Sequence, residues 1–185
     1  MSDAAPSEFF RGWLPRAFER MRESDPGRAI ADCALFAEVG GNSWTVSVVS
    51  GQLQVVDGPK LPFTFRLRAG LQAFNRLIAS SVSTRDAEAR LSRALRLDAE
   101  TVRLIAAVPG ALRIRVTDTS GPLDIIVGPS KADFERPSCT VTCSIGDFED
   151  LQAERQNPMD MFLSGRLALE GDLEVAMALG GVFLT

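Results

Sequence analysis

Cys139 and Cys143, four apart in CTVTC, and the carboxylates Asp147, Glu149 and Asp150 just after them are the residues whose types could do bond chemistry. The chain has no His and no Tyr. That removes imidazole general bases, Ser–His arrangements and imidazole metal ligands. The two cysteines fall in a predicted strand, on one face of it and too far apart to bond to each other. With Cys33 the cysteine count is three, an odd number that suits reduced thiols rather than a disulfide framework. The carboxylates stand at a predicted helix start, where they complement the helix dipole. No phosphate loop, dinucleotide fingerprint or metal spacing is present. Neither cofactor nor metal is expected, and an enzyme is the weakest reading.

The remaining chemistry is apolar and concentrates between Ser144 and Thr185. From Val175 to Thr185 there is no charge. A helix apolar all round is either sandwiched in a core or has one face on a cavity. In the packing reading, Leu173, Met177 and Gly180 lie on a sheet while Val175, Ala178, Leu179 and Val182 lie under a neighbouring helix. In the functional reading, part of that second face lines a tunnel. Met159, Met161 and Met177 suit irregular apolar volumes, as core filler or as pocket wall. Gly180-Gly181 either ends the helix or hinges Val182, Phe183 and Leu184 as a flap. Arg155, Gln156 and Arg166 are candidate partners for an anionic head group, with solvated surface as the alternative.

The elements that hold this stretch are punctuated by local signals. Ser144 with Asp147 three residues on forms a capping box for GDFEDLQAE, and Asn157-Pro158 with Asp160 opens PMDMFLS. Gly165 ends that helix, RLALEGD is a strand, and Asp172 opens LEVAMALGGVF. Upstream, Ser7 is a candidate cap for a helix carrying Phe10, Leu14, Phe18 and Met21 on one face, which Pro15 splits or kinks. A short helix is predicted from Arg28 to Cys33. FAEVGG, SWTVSVVSG, QLQVVDG and PFTFRLRAG read as four strands of an antiparallel meander. Trp44, Val46 and Val48 alternate with polar residues, as do Phe63, Phe65 and Leu67. Two helices follow, LQAFNRLIASS and DAEARLSRALRL, the latter with Leu91 and Leu95 inward and Arg90, Arg93 and Arg96 outward. Asp98 caps a third, DAETVRLIAAV, which Pro109-Gly110 terminates. ALRIRVTDTSG, PLDIIVG, KADFERP and SCTVTCSI then read as strands.

The order of elements recurs. Residues 35–79 run through four strands and a helix, and residues 112–155 repeat it, with Phe74 and Phe148 at equivalent places. Residues 1–109 thus read as an N-terminal helix, β-meander and helices, either a truncated repeat or a second meander alike by chance, and residues 110–185 as the C-terminal half.

Asn157, Pro158, Phe162, Gly165, Arg166, Leu167, Gly171, Ala176, Met177 and Leu179 follow, in order, a pattern of Asn-Pro, apolar helix, Gly-basic, apolar-alternating strand, Gly, and Ala- and Met-containing last helix. In this, residues 110–184 resemble the sterol-carrier-protein-2 family of lipid-binding domains. The resemblance implies an α+β fold, an antiparallel-rich mixed sheet of five strands covered by helices on one side, with an apolar tunnel for sterols, fatty acyl chains or isoprenoid-type lipids. On this sequence the tunnel residues would be Phe148, Leu151, Met159, Phe162, Leu163, Leu167, Leu169, Val175, Met177, Ala178, Leu179 and Phe183. The expected function is non-catalytic lipid binding or transfer. The alternative is an accessory protein of a lipid or quinone pathway, its tunnel closed, acting through a protein partner.

Composition bounds the rest. Apolar residues make up 45% of 185, enough for a core, and 24 acidic against 20 basic residues leave no basic face for nucleic acid. No apolar run is long enough to span a bilayer, so at most peripheral membrane contact is expected. The first residues, MSDAAPSEFFRGW, lack the pattern of a signal peptide, and the chain ends without a peroxisomal tripeptide. A cytoplasmic, bacterial protein is expected.

Overall fold

A computed structural model describes residues 4–27, 30–78 and 98–183. The predicted helix Leu91/Leu95, its arginines and the Ser83-Thr84 joint lie outside the described residues. Eight strands form one sheet: β1 (Cys33–Val39), β2 (Asn42–Val49), β3 (Gln52–Asp57), β4 (Phe65–Ala69), β5 (Leu112–Asp118), β6 (Gly121–Pro129), β7 (Cys139–Ser144) and β8 (Leu167–Gly171). Their order across the sheet is β3-β2-β1-β4-β6-β5-β7-β8. Only β1–β4 and β5–β7 pair in parallel; the other neighbours are antiparallel. The fold is α+β with an antiparallel-rich mixed sheet, as expected, but the sheet has eight strands where the resemblance implies five, because β4 pairs with β6 and so continues it into β1–β3.

Strict alternation gives the sheet one apolar face. Trp44, Val46 and Val48 on β2, Ile114 and Val116 on β5, and Cys139, Val141 and Cys143 on β7 are all buried. Helices cover that face. α1 is one helical run, Ala4–Glu8, a π-helical turn Phe9–Trp13, and Leu14–Ser24. α2 is Leu71–Ala73 continuing as a second π-helical turn, Phe74–Ile78. α3 is Ala99–Ala107, α4 Ile145–Gln152, α5 Pro158–Leu163 and α6 Leu173–Phe183.

Phe10, Leu14, Phe18 and Met21 of α1 are all buried, as their spacing predicts. The helix begins before Ser7, which therefore does not cap it. Pro15 neither splits nor ends it; upstream, Leu14 N–H donates to Phe9 O in the π turn. The short helix expected up to Cys33 is absent over 30–33: residues 30–32 are irregular and Cys33 opens β1.

Two other expectations fail for identifiable reasons. The meander is β1-β2-β3 only, because β4 crosses to the far edge of β1 and pairs with it in parallel. Pro59 and Pro62 interrupt the chain between β3 and β4 and have no N–H to extend a ladder on β3. Phe63 lies outside β4 and packs on Phe36, ring centroids 5.1 Å apart, on the opposite face of the sheet. KADFERP is not a strand. Asp133 Oδ1 accepts from the backbone N–H groups of Glu135 and Arg136, at 2.9 and 3.2 Å, and turns the chain. Phe134 then folds into a small cluster with Ala111, Ile126 and Ala132, beneath the Arg66 guanidinium at 4.6 Å.

Candidate apolar binding site between β7, β8 and the last helices

The predicted caps set the site's frame. Ser144 Oγ accepts from Asp147 N–H at 3.1 Å and donates to Asp147 Oδ2 at 2.7 Å. Asn157 Oδ1 accepts from Met159 N–H at 2.8 Å. Asp172 Oδ1 accepts from the N–H groups of Glu174 and Val175, at 2.9 and 3.3 Å. Each cap satisfies backbone donors that a helix start leaves unpaired. Gly171 joins β8 to α6 at φ +101, with its backbone so close to Ser138 that a Cβ would stand 2.3 Å from the Ser138 carbonyl oxygen.

The arginines considered for a head group have other work. Arg166 donates through Nε to Asp147 Oδ1 at 2.8 Å and through Nη2 to Asp150 Oδ2 at 3.2 Å. Arg155 Nε donates to Asp150 Oδ1 at 2.9 Å. The Arg166 bonds tie the residues after α5 back to α4, and the Arg155 bond ties the loop before α5 to it. The Ser144 hydroxyl, then Arg166, hold the Asp147 carboxyl below the usual aspartate range, against the opposing effect of partial burial. Arg155 and Arg166 are therefore engaged within the protein.

The thiols offer no nucleophile. Burial, with Asp147 adding to it, pushes Cys143 up to about 11. Burial and Asp172 raise Cys139 as well, and Cys33 is pushed to about 11 by burial and Asp32. All three are free cysteines. Among the described residues there is no cluster of three or more potential metal ligands.

The predicted tunnel residues divide into two sets. Phe148, Leu151, Leu167, Val175 and Leu179 are buried together in the main core, with Leu169 and Ala178 half-buried against them. Met159, Phe162, Leu163 and Met177 instead stand in solvent, at 57, 44, 76 and 66% exposure. The side chain of Phe183 lies outside what is described. Leu173 is exposed like Met177, so neither packs on the sheet; Val175, Ala176, Leu179 and Gly180 are buried. Gly180-Gly181 does not end α6, which continues to Phe183. Met161, read from the sequence as core filler or pocket wall but not placed among the tunnel residues, is buried and is the residue through which α5 joins the core. Its spacing from Pro158 on a capped helix was the available signal.

A family model, the SCP-2 sterol transfer family, matches residues 84–184. The chain belongs to the SCP-2 sterol transfer family. The match begins well before residue 110, so it takes in α3 as well as the strands and helices of the second half. Lipid binding and transfer is the general activity that membership carries. Among solved structures, sterol carrier protein 2 like 2 from Aedes aegypti is 22% identical, covering 57% of this chain and 99% of that one, with a TM-score of 0.36. Palmitated SCP2L2 from the same organism is 23% identical over 46% of this chain and 94% of that one, TM-score 0.35. Sterol carrier protein 2 from Yarrowia lipolytica, in its apo form, is 17% identical over 43 and 76%, TM-score 0.35. Comparison with curated proteins gave no match. No helix among the described residues is long and apolar enough to cross a membrane.

Proposed function

We propose that this chain binds a lipid, a sterol, fatty acyl chain or isoprenoid-type molecule, between β7, β8 and α4–α6, and carries it without chemical change. The observation that carries the reading is the division of the apolar residues on α5 and α6. One set, Val175, Leu179 and Met161, closes the core. The other, Met159, Phe162, Leu163 and Met177, is left in water, at a cost that folding alone does not require. Exposed residues of this kind beside an apolar interior suit entry of a chain from a membrane or donor surface.

The magnitudes are sufficient. Burying a methylene contributes about 0.8 kcal/mol. A chain of roughly ten methylenes reaches about micromolar affinity after several kcal/mol of association and ordering costs. Catalysis is not part of the reading, since burial raises the thiols and Asp147 and Asp150 are paired with Arg166.

A second reading has its own observation. Val175 and Leu179 have no exposure at all, which also suits an interior closed by the chain's own side chains and a role through protein contacts. Native mass spectrometry of the purified full chain, with lipid extraction, separates the two. Co-purifying lipid, or saturable displacement of a fluorescent fatty acid, is expected for the carrier. A folded protein with no lipid and no probe binding would leave the accessory role. Phe162→Ser with Leu163→Ser should leave the fold intact and slow transfer from vesicles several-fold; unchanged transfer would remove these side chains from the entry route.

A further inference from the structure

The two halves of the sheet are built alike. β1 and β2 pair over seven residues around Gly40-Gly41, and β5 and β6 pair over seven residues around Thr119-Ser120. Cys33–Val48 corresponds to Leu112–Val127, and Val39–Asn42 to Asp118–Gly121, with every pair between them displaced by the same amount. In each half a later strand crosses over to pair in parallel with the first strand of the hairpin, β4 with β1 and β7 with β5. In each half that strand leads into a helix with a buried Phe and Leu three residues apart, Phe74 and Leu77 in α2, Phe148 and Leu151 in α4. The first half therefore has the frame of the second, where the lipid site is proposed.

Aromatic side chains occupy the apolar face of the first half. Phe10 stacks on Trp44 at 4.8 Å and on Phe74 at 5.7 Å, and Phe9 meets Phe74 edge-on at 5.3 Å. Trp13 stacks on Phe9 at 5.2 Å. These contacts join the π-helical turn of α1 to that of α2, and π turns recur at functional sites because each carries an extra residue that the regular ladder does not hold. Beside Phe74, at 7% exposure, lies Asn75, whose Oδ1 is buried and has no hydrogen-bond partner. A buried amide oxygen without a donor is costly, and native proteins rarely keep one.

We propose that the first half is a second lipid site, distinct from the one between β7, β8 and α4–α6, and that it takes an apolar molecule bearing one hydroxyl, which enters between the π turns of α1 and α2 and donates to Asn75 Oδ1. Phe9, Phe10 and Phe74, packed on one another across the two turns, and the buried Leu77 are the apolar side chains such a molecule would meet. The unpaired acceptor selects a hydroxyl over an ionised carboxylate, which has no proton to donate. All of these residues precede residue 84, outside the stretch matched to the family.

The chain has two tryptophans, Trp13 and Trp44, and both lie in this cluster. Quenching of their fluorescence by a bromine-labelled ligand therefore reads this half of the molecule and not the other. With the full chain, 12-bromododecan-1-ol should quench saturably. 1-Bromododecane, which lacks the donor, should need roughly tenfold more ligand, the usual scale of one buried hydrogen bond. In Asn75→Leu the two compounds should become equal, while the unliganded emission spectrum and thermal midpoint are kept. If that variant fails to fold, Asn75→Ala serves the same comparison. Absence of saturable quenching in the wild-type protein would overturn the proposal, as would an alcohol preference that survives in the variant. Neither result bears on fatty-acid displacement from the second half, so the two sites fail separately.

Discussion

At Gly171 the chain must turn from β8 into α6 while its backbone touches β7. The φ of +101 and the 2.3 Å approach to Ser138 O leave no room for a side chain. Gly171→Ala combines a strained backbone with a backbone clash, and we expect a loss of about 2–4 kcal/mol, read as a lowered thermal midpoint; an unchanged midpoint would mean the turn relaxes freely. Cys143 and Cys33, both near 11, should be about a thousandth ionised at pH 8. Alkylation of the native protein by iodoacetamide should therefore be far slower than after denaturation; equal rates would contradict the burial. Asp147, whose carboxyl is held low by Ser144 and Arg166, contributes stability that is present above its unfolded value and is lost as pH falls through the folded one. Asp147→Asn should flatten the acid side of a stability–pH profile, below about pH 4, and leave the neutral region less affected.

Among the elements, those whose signals are local were legible in the sequence. Ser144, Asn157, Asp172 and Asp98 cap the helices they precede because a side-chain oxygen needs only the next turn's N–H. The strand alternation of β2, β5 and β7 set the buried face for the same reason, a period of two. What was not legible depends on distant partners. Nothing in PFTFRLRAG says that β4 pairs with β1, and nothing in KADFERP says that Asp133 will bind its own backbone instead of a neighbouring strand. α6 is the sharper case for the site. A helix apolar on all sides has no stripe to mark its inner face, so Met177 and Leu173 read as core and Val175 and Leu179 as a second layer, whereas Met177 and Leu173 are in solvent and Val175 and Leu179 in the core. Leu179→Ala should accordingly cost about 2–5 kcal/mol in chemical denaturation, and Met177→Ala little; the reverse ranking would rotate the helix.

As a whole the molecule is one continuous sheet assembled from two similar halves, joined where β4 meets β6. That joint accounts for the missing third strand of the second half: β4 occupies the edge of β6 that β3 occupies on β2, so KADFERP was free to become a turn. The two halves are covered differently, the first by an aromatic helix that precedes it, the second by an apolar helix that follows. We read the N-terminal half as a truncated copy of the lipid-binding frame, and the C-terminal half as the carrier that family membership describes in general terms. The central claim is that the second half takes up a lipid. Its most direct test is equilibrium titration of the folded, delipidated full chain with a fluorescent long-chain fatty acid. The account predicts saturable binding in the micromolar range that unlabelled sterol or fatty acid displaces; a flat titration with protein of intact fold would contradict it.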